Sequence, residues 1–99
     1  AGSGLLGHLL EVASDSPLEA LSEARLFGPL RMDGPSWFLR DTDLARLATP
    51  YSWSRRDGFL PNPHYGFAHY PATSLRVSVT GLARFSIAML RGELDGVRV

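Results

Sequence analysis

Three histidines, a scatter of serines, a close pair of aspartates and a tyrosine-rich loop are the parts of this sequence that could do chemistry. His64 and His69 stand in one loop beside Tyr65 and Tyr70. Two histidines can share a metal, but a zinc-type site needs further ligands, and none stands at ligand spacing. No metal is expected there. His8 falls on the less apolar side of a predicted helix with no Cys, Asp, Glu or His partner read at metal-ligand spacing, so a surface or satisfied histidine is the plainer reading. No serine lies in Gly-x-Ser-x-Gly or Ser-x-x-Lys. A Ser-His-Asp triad assembled from distant positions is compatible with the composition without being indicated by it. Asp41 and Asp43 can be read as a carboxylate pair or as capping groups of a solvated turn; the second needs no further partner. Tyr65, Phe67 and Tyr70 can line a pocket or anchor their own loop, because aromatic side chains serve both ends. No glycine-rich phosphate loop is present, and no cofactor is expected.

The composition narrows the chemistry further. All ten basic residues are arginine, and lysine is absent. Arginine stays protonated at any working pH. Ser-Lys dyads, Schiff bases and P-loop lysines are therefore excluded within these 99 residues. With no cysteine, disulfides and thiolate metal sites are excluded too. Ten acids balance ten bases, so the chain lacks the basic footprint of a nucleic-acid or anionic-membrane partner. No apolar run approaches the ~20 residues of a membrane-crossing helix. A hydrophobic fraction of 44% is too high for a disordered chain.

The elements that would position these groups fall into three stretches of a single partial domain spanning 1–99. Residues 1–32 read as a helical hairpin. Leu5, Leu6, Leu9, Leu10, Val12 and Ala13 recur at helical spacing, which predicts a helix from Gly4 to Ala13. Ser16 is expected to cap a second helix, with Pro17 at its first position, Glu19 closing a capping box and Leu18, Leu21 and Ala24 as its apolar stripe. Gly28-Pro29 should end it near Leu26. Residues 33–77 hold eight of the ten aromatic residues and four of the seven prolines beyond Gly34-Pro35. They predict a long irregular region: Thr42 capping one turn through Arg46, and short strands Leu47–Ser54 and Phe59–Pro63 about a turn at Arg55–Gly58. So long an irregular layer needs a scaffold to lie on. Residues 78–99 should form a helix from Val79 to Arg91, capped by Ser78 and ended by Gly92, then an Asp95-Gly96 turn and the beginning of a strand at Val97–Val99. Val79, Leu82, Ala83, Ile87 and Leu90 are its expected buried face, widened by Phe85 and Met89. The fold class is thus mainly α with a long irregular region and a short β hairpin.

Several segments together resemble one family. Gly4-Leu5-Leu6-Gly7-His8-Leu9-Leu10-Glu11-Val12, followed by Ser16-Pro17-Leu18-Glu19, resembles the helix pair after the Tyr-x-Asn motif of serine β-lactamase-like hydrolases. Leu26-Phe27-Gly28-Pro29-Leu30-Arg31-Met32 is similar to that family's Ile-Phe-x-Pro-Leu-Gly-Met signature, and Arg46-Leu47-Ala48-Thr49-Pro50-Tyr51 to its usual continuation. Ser74-Leu75-Arg76-Val77-Ser78-Val79-Thr80-Gly81-Leu82-Ala83-Arg84-Phe85 resembles the Gly-Leu-x-Ser-Thr-x-x-Asp-Leu-Ala-Arg-Phe helix. Gly92-Glu93-Leu94-Asp95-Gly96-Val97 resembles the turn that follows. The matches keep their order over nearly the whole chain. Two positions depart from the pattern. Thr73-Ser74 stand where the family has Gly-Gly, and Arg31 stands where glycine commonly precedes the methionine, a helix end at which a left-handed arginine is disfavoured.

The family includes class C β-lactamases, penicillin-binding-protein-like peptidases and family VIII esterases. The resemblance implies a segment of the α+β β-lactamase/transpeptidase-like fold. It also implies a parent that attacks carbonyls with the serine of Ser-x-x-Lys, helped by Tyr-x-Asn and closed by a His/Lys-Thr-Gly strand. None of those motifs maps onto a position here; Tyr51-Ser52-Trp53 has the tyrosine without the asparagine and lies in a different segment. The chain is therefore expected to be an internal segment that shapes one rim of a substrate pocket, with Tyr65 and Tyr70 as rim residues. It is expected to hold no catalytic residue of its own, with the remainder of the parent hydrolase or another copy of itself as partner; the alternative is a stand-alone helical interaction or self-associating module derived from that family.

Overall fold

The computed structural model describes residues 2–99. It is mostly helical with two small antiparallel hairpins. Helix α1 spans Gly2–Ser14 and ends in a Schellman motif. Asp15 takes the left-handed conformation (φ 51°), the Asp15 amide donates to the Val12 carbonyl at 3.4 Å, and the Ser16 amide donates to that of Glu11 at 3.2 Å. Helix α2 spans Leu18–Ser22 and runs on as a π-type turn over Glu23–Phe27.

The start of α2 differs from expectation. Pro17, not Ser16, occupies the cap position, and no side chain of its own caps the helix. The cap comes from α1: Glu11 Oε1 accepts the Leu18 amide at 3.0 Å. A carboxylate at a helix N-terminus satisfies an orphan N–H and meets the positive end of the macrodipole. The expected stop near Leu26 also fails. Gly28 stays in right-handed helical geometry, and the Leu30 amide still reaches the Leu26 carbonyl at 3.0 Å. Pro29 has no N–H to give to Arg25, so the turn before it widens, and Gly28 bonds back to Glu23 at 2.9 Å. A Cβ on Gly28 would stand 2.9 Å from that Glu23 carbonyl, which fits the absence of one. The true terminus is a second Schellman motif. Arg31 adopts the left-handed conformation (φ 51°) despite its Cβ, with Met32 bonding to Phe27 and Arg31 to Gly28, both at 3.0 Å.

The irregular stretch is held at a few points. Leu39–Asp41 forms a 3-10 turn. The next turn is capped by Asp43, whose Oδ1 accepts the Ala45 amide at 3.0 Å; Thr42 donates instead to the Phe38 carbonyl. Strands β1 (Tyr51–Ser54) and β2 (Gly58–Pro61) pair antiparallel, with Trp53 opposite Phe59 and Tyr51 opposite Pro61. They are shorter than the runs of apolar residues suggested, and Gly58 (φ 68°) closes their turn. Ser36 and Arg76 exchange two backbone hydrogen bonds of 2.8 Å, tying the start of this stretch to its end. Helix α3 is the single turn Tyr70–Thr73. Thr73 and Ser74 lie at negative φ, so the turn does not need the glycines they replace.

Helix α4 spans Val79–Arg91 between the caps its sequence announces. Ser78 Oγ accepts the Gly81 amide at 3.0 Å, and Gly92 (φ 76°) ends the helix. Strands β3 (Glu93–Leu94) and β4 (Val97–Arg98) then pair about Asp95-Gly96, both at positive φ as a type I′ turn requires. The terminal run thus folds back on β3.

The buried apolar residues are Leu18, Phe27, Leu30 and Ala88, with Leu30 fully enclosed and α4 laid against the segment 30–33. The expected buried face of α4 is turned outward. Val79 is 82% and Leu90 87% exposed, and Leu82, Ile87 and Met89 are exposed as well. What faces inward is the line Gly81, Arg84, Phe85, Ala88. The small residues decide this. Gly81 lies so close to Asp33 that a Cβ would stand 2.9 Å from its backbone, and Arg84 Nε donates to the Leu30 carbonyl at 2.6 Å. Helix α1 follows the same rule, with Gly7 pressed on Pro71 and Leu18 while its leucines face away. Ala24 of the expected α2 stripe is exposed too; the widened turn brings Phe27 inward in its place.

The result is a thin body of 51 × 29 × 22 Å. Its accessible surface is 7304 Å². Size scaling gives roughly 5,500 Å² for a compact monomer of 10.8 kDa. The radius of gyration, 15.9 Å, likewise exceeds the ~13 Å of a compact chain of this length.

Candidate functional site

Glu11 is the polar side chain that ties the helical half together. It projects from α1 where α2 begins and α3 crosses. Its Oε1 accepts both the Leu18 amide and the Tyr70 hydroxyl, so one carboxylate joins three helices. The Tyr70 hydroxyl and then the Leu18 amide hold the Glu11 pKa below the ordinary carboxylate value. Tyr70 is pushed up to about 12, first by burial and then by its bond to Glu11. Its ring lies 4.8 Å from Phe38 and 6.1 Å, edge-on, from Trp37. Trp37 packs on Phe27 at 6.4 Å, and its indole N–H donates to Ser22 Oγ at 3.0 Å. Tyr70 therefore closes an aromatic row against the helical pair.

Tyr65 lies elsewhere. It meets Phe67 edge-to-face at 5.1 Å, and Phe67 in turn lies 5.1 Å from the His69 ring. Tyr65 lines a shallow recess of about 220 Å³ with Pro50, Pro63, Phe67, Ser74 and Arg76. Tyr70 takes no part in that recess. The structure does not bring the two tyrosines into one wall: Tyr65 stands at an open mouth, and Tyr70 anchors. Arg76 stiffens the floor, donating to the carbonyls of Ser74 at 3.2 Å and Tyr65 at 3.1 Å.

The other candidate groups are occupied locally. Asp43 caps its own turn, and Asp41 lies 3.7 Å from Arg40. Asp41 also raises the pKa of Glu19, while Arg40 at 3.8 Å opposes that shift. Glu19 and Asp41 line a recess of about 330 Å³ together with Phe27 and Trp37. Among the described residues, no serine hydroxyl is hydrogen-bonded to a histidine, and no His/Asp/Glu cluster could hold a metal ion.

Three of those ties escaped the reading of the sequence. Glu11 is the lone acid in the apolar α1 pattern, and that isolation was the available signal. Asp33 and Arg46 form a two-pronged ion pair at 2.6 and 3.2 Å, which holds Asp33 below its ordinary pKa; nothing in their spacing announces it. Arg84 bonds both the Leu30 carbonyl and the Asp95 carboxylate, joining the α2 terminus to the last hairpin.

A family model described as Beta-lactamase matches residues 1–98. No curated protein matches the chain.

Proposed function

The chain belongs to the β-lactamase family, and from that membership we propose that it is an internal segment of a serine hydrolase, supplying a wall of the substrate pocket while the reacting groups come from elsewhere in the parent. The observation that carries this reading is the family match over residues 1–98 in a chain without a single lysine. The family chemistry implied by the resemblance runs through Ser-x-x-Lys, and no residue here can stand for its lysine. Acyl transfer to or from a serine is the reaction class. The parent is of the class C β-lactamase, penicillin-binding-protein-like or family VIII esterase type, of bacterial origin, with an ester, amide or lactam as substrate.

The surface supports the same reading. A body with about 1,800 Å² more exposed area than a compact monomer of its mass has faces for other structure to cover. Within such a parent, Tyr65 at the mouth of its recess is the pocket-rim residue, and Tyr70 serves by anchoring the loop that carries Tyr65, Phe67 and His69. The test is the DNA sequence on both sides of the coding segment. Ser-x-x-Lys and Tyr-x-Asn upstream, with a His/Lys-Thr-Gly strand downstream, are expected in one reading frame. Flanks that hold none of the three would overturn the assignment.

A further inference from the structure

We propose that Glu11 is a positioning residue for the pocket rim: acting through Tyr70, it holds the loop 64–70 so that Tyr65 and Phe67 keep a recess shaped for an aromatic group of the parent's substrate. The inference rests on the reading of Tyr65 as a rim residue. It adds the class of group bound there and the side chain that fixes the wall.

Residues 62–67 belong to no helix, strand or turn. The stretch is held by backbone near its two ends, where the Asn62 amide donates to the Pro50 carbonyl at 2.8 Å and the Ala72 amide to that of His69 at 3.1 Å. Between those points the support comes from side chains. Arg76 donates to the Tyr65 carbonyl at 3.1 Å, and the rings of Tyr65, Phe67 and His69 follow one another in steps of 5.1 Å. This ring series ends on α1. A Cβ on Gly4 would stand 3.3 Å from that of His69, and Pro71 presses on Gly7. Such apolar contacts tolerate sliding; a charge-assisted hydrogen bond is directional and does not. Among the described residues, the bond from the Tyr70 hydroxyl to Glu11 is the one side-chain hydrogen bond between α1 and the loop with its following turn. It therefore sets where the ring series stands.

The recess that the loop borders has a volume of about 220 Å³ and is walled by Pro50, Pro63, Tyr65 and Phe67, with no acid among its lining residues. An apolar cavity of about 150 Å³ takes a benzene ring, and the tilted rings of Tyr65 and Phe67 offer the edge and face contacts that a third ring prefers.

The test uses the full product of the gene that encodes this chain, with 4-nitrophenyl phenylacetate and 4-nitrophenyl acetate as substrates. The phenylacetate should have the lower KM, and Tyr65→Ala should abolish that preference. Tyr70→Phe should raise KM for the phenylacetate by about two- to tenfold, as loss of one hydrogen bond allows, with a smaller change for the acetate and in kcat. The same variant should speed amide hydrogen exchange over residues 62–69. Glu11→Ala should do likewise and Glu11→Gln, which keeps an accepting oxygen, should restore the preference. Glu11→Ala also uncaps α2, so Tyr70→Phe decides if that variant does not fold. Unchanged exchange in Tyr70→Phe, or equal KM shifts for the two esters, would overturn the positioning role while the rim reading stands. A parent that turns over neither ester, or a preference that survives Tyr65→Ala, would overturn the rim reading and this inference with it.

Discussion

The Tyr70 hydroxyl donates to Glu11 Oε1, the same oxygen that accepts the Leu18 amide. Two residues far apart in sequence thus lock the loop 64–70 to the junction of α1 and α2. The bond has opposite titration consequences at its two ends. Glu11 has a lowered pKa when folded, so its contribution is present above the ordinary carboxylate value and is lost as pH falls through the lowered one. Tyr70 is raised from 10.0 to about 12, so its contribution is full below 10 and is lost as pH rises towards 12. Urea midpoints should therefore be level around neutrality and fall on both flanks. Tyr70→Phe should lower the plateau and remove the decline between pH 10 and 12. An unchanged alkaline limb in that variant would show that Tyr70 is not held buried against Glu11 in solution.

Identical substitutions within α1 should have opposite effects. Gly7→Ala drives a methyl into Pro71 and should cost about 1–3 kcal/mol, the usual range for overpacking. Gly2 has nothing within 4 Å of a built Cβ. Gly2→Ala should therefore be neutral or stabilising by up to about 1 kcal/mol, through helix propensity alone. Thermal melts of the two variants check this; equal effects would contradict the close approach of α1 to Pro71.

Among the described residues, Leu30 is the one fully enclosed large side chain. Leu30→Ala should cost about 2–5 kcal/mol, a large part of the stability of so small a body. The expected signature is loss of the cooperative urea transition, followed by circular dichroism. A small shift with cooperativity intact would mean that the core is centred elsewhere.

Ser78 joins two elements: it accepts the Gly81 amide and donates to the Asp33 carbonyl at 2.9 Å. Ser78→Ala should cost about 1 kcal/mol, as helix caps generally do, while Ser78→Thr keeps the oxygen and should cost less. Chemical denaturation of both variants gives the comparison, and equal losses would argue against capping.

What was legible in the sequence is what is local. Ser78, Gly92 and Asp95-Gly96 set their structures through their own backbone preferences, and the structure has each as read. The Arg55–Gly58 turn is local in the same way. What depends on distant partners was not legible. Which face of α4 turns inward is decided by Asp33 pressing on Gly81, not by the distribution of leucines. The cap of α2 arrives from Glu11, seven residues back, so Ser16 only looked like the cap. Arg31 enters the left-handed region because two backbone hydrogen bonds of the helix end hold it there, against its own preference. At the candidate site, the spacing of Tyr65 and Tyr70 could not tell that one lines a recess while the other reaches back to α1.

In the proposed function these residues shape a hydrolase without performing its chemistry. Intact-mass measurement after treatment with a fluorophosphonate probe, on the 99-residue chain and on the full product of the gene that encodes it, decides this. Under the proposed function the full gene product gains one adduct, on a serine outside these residues, and the chain alone gains none. A single stoichiometric adduct on a serine of the chain itself would contradict the account.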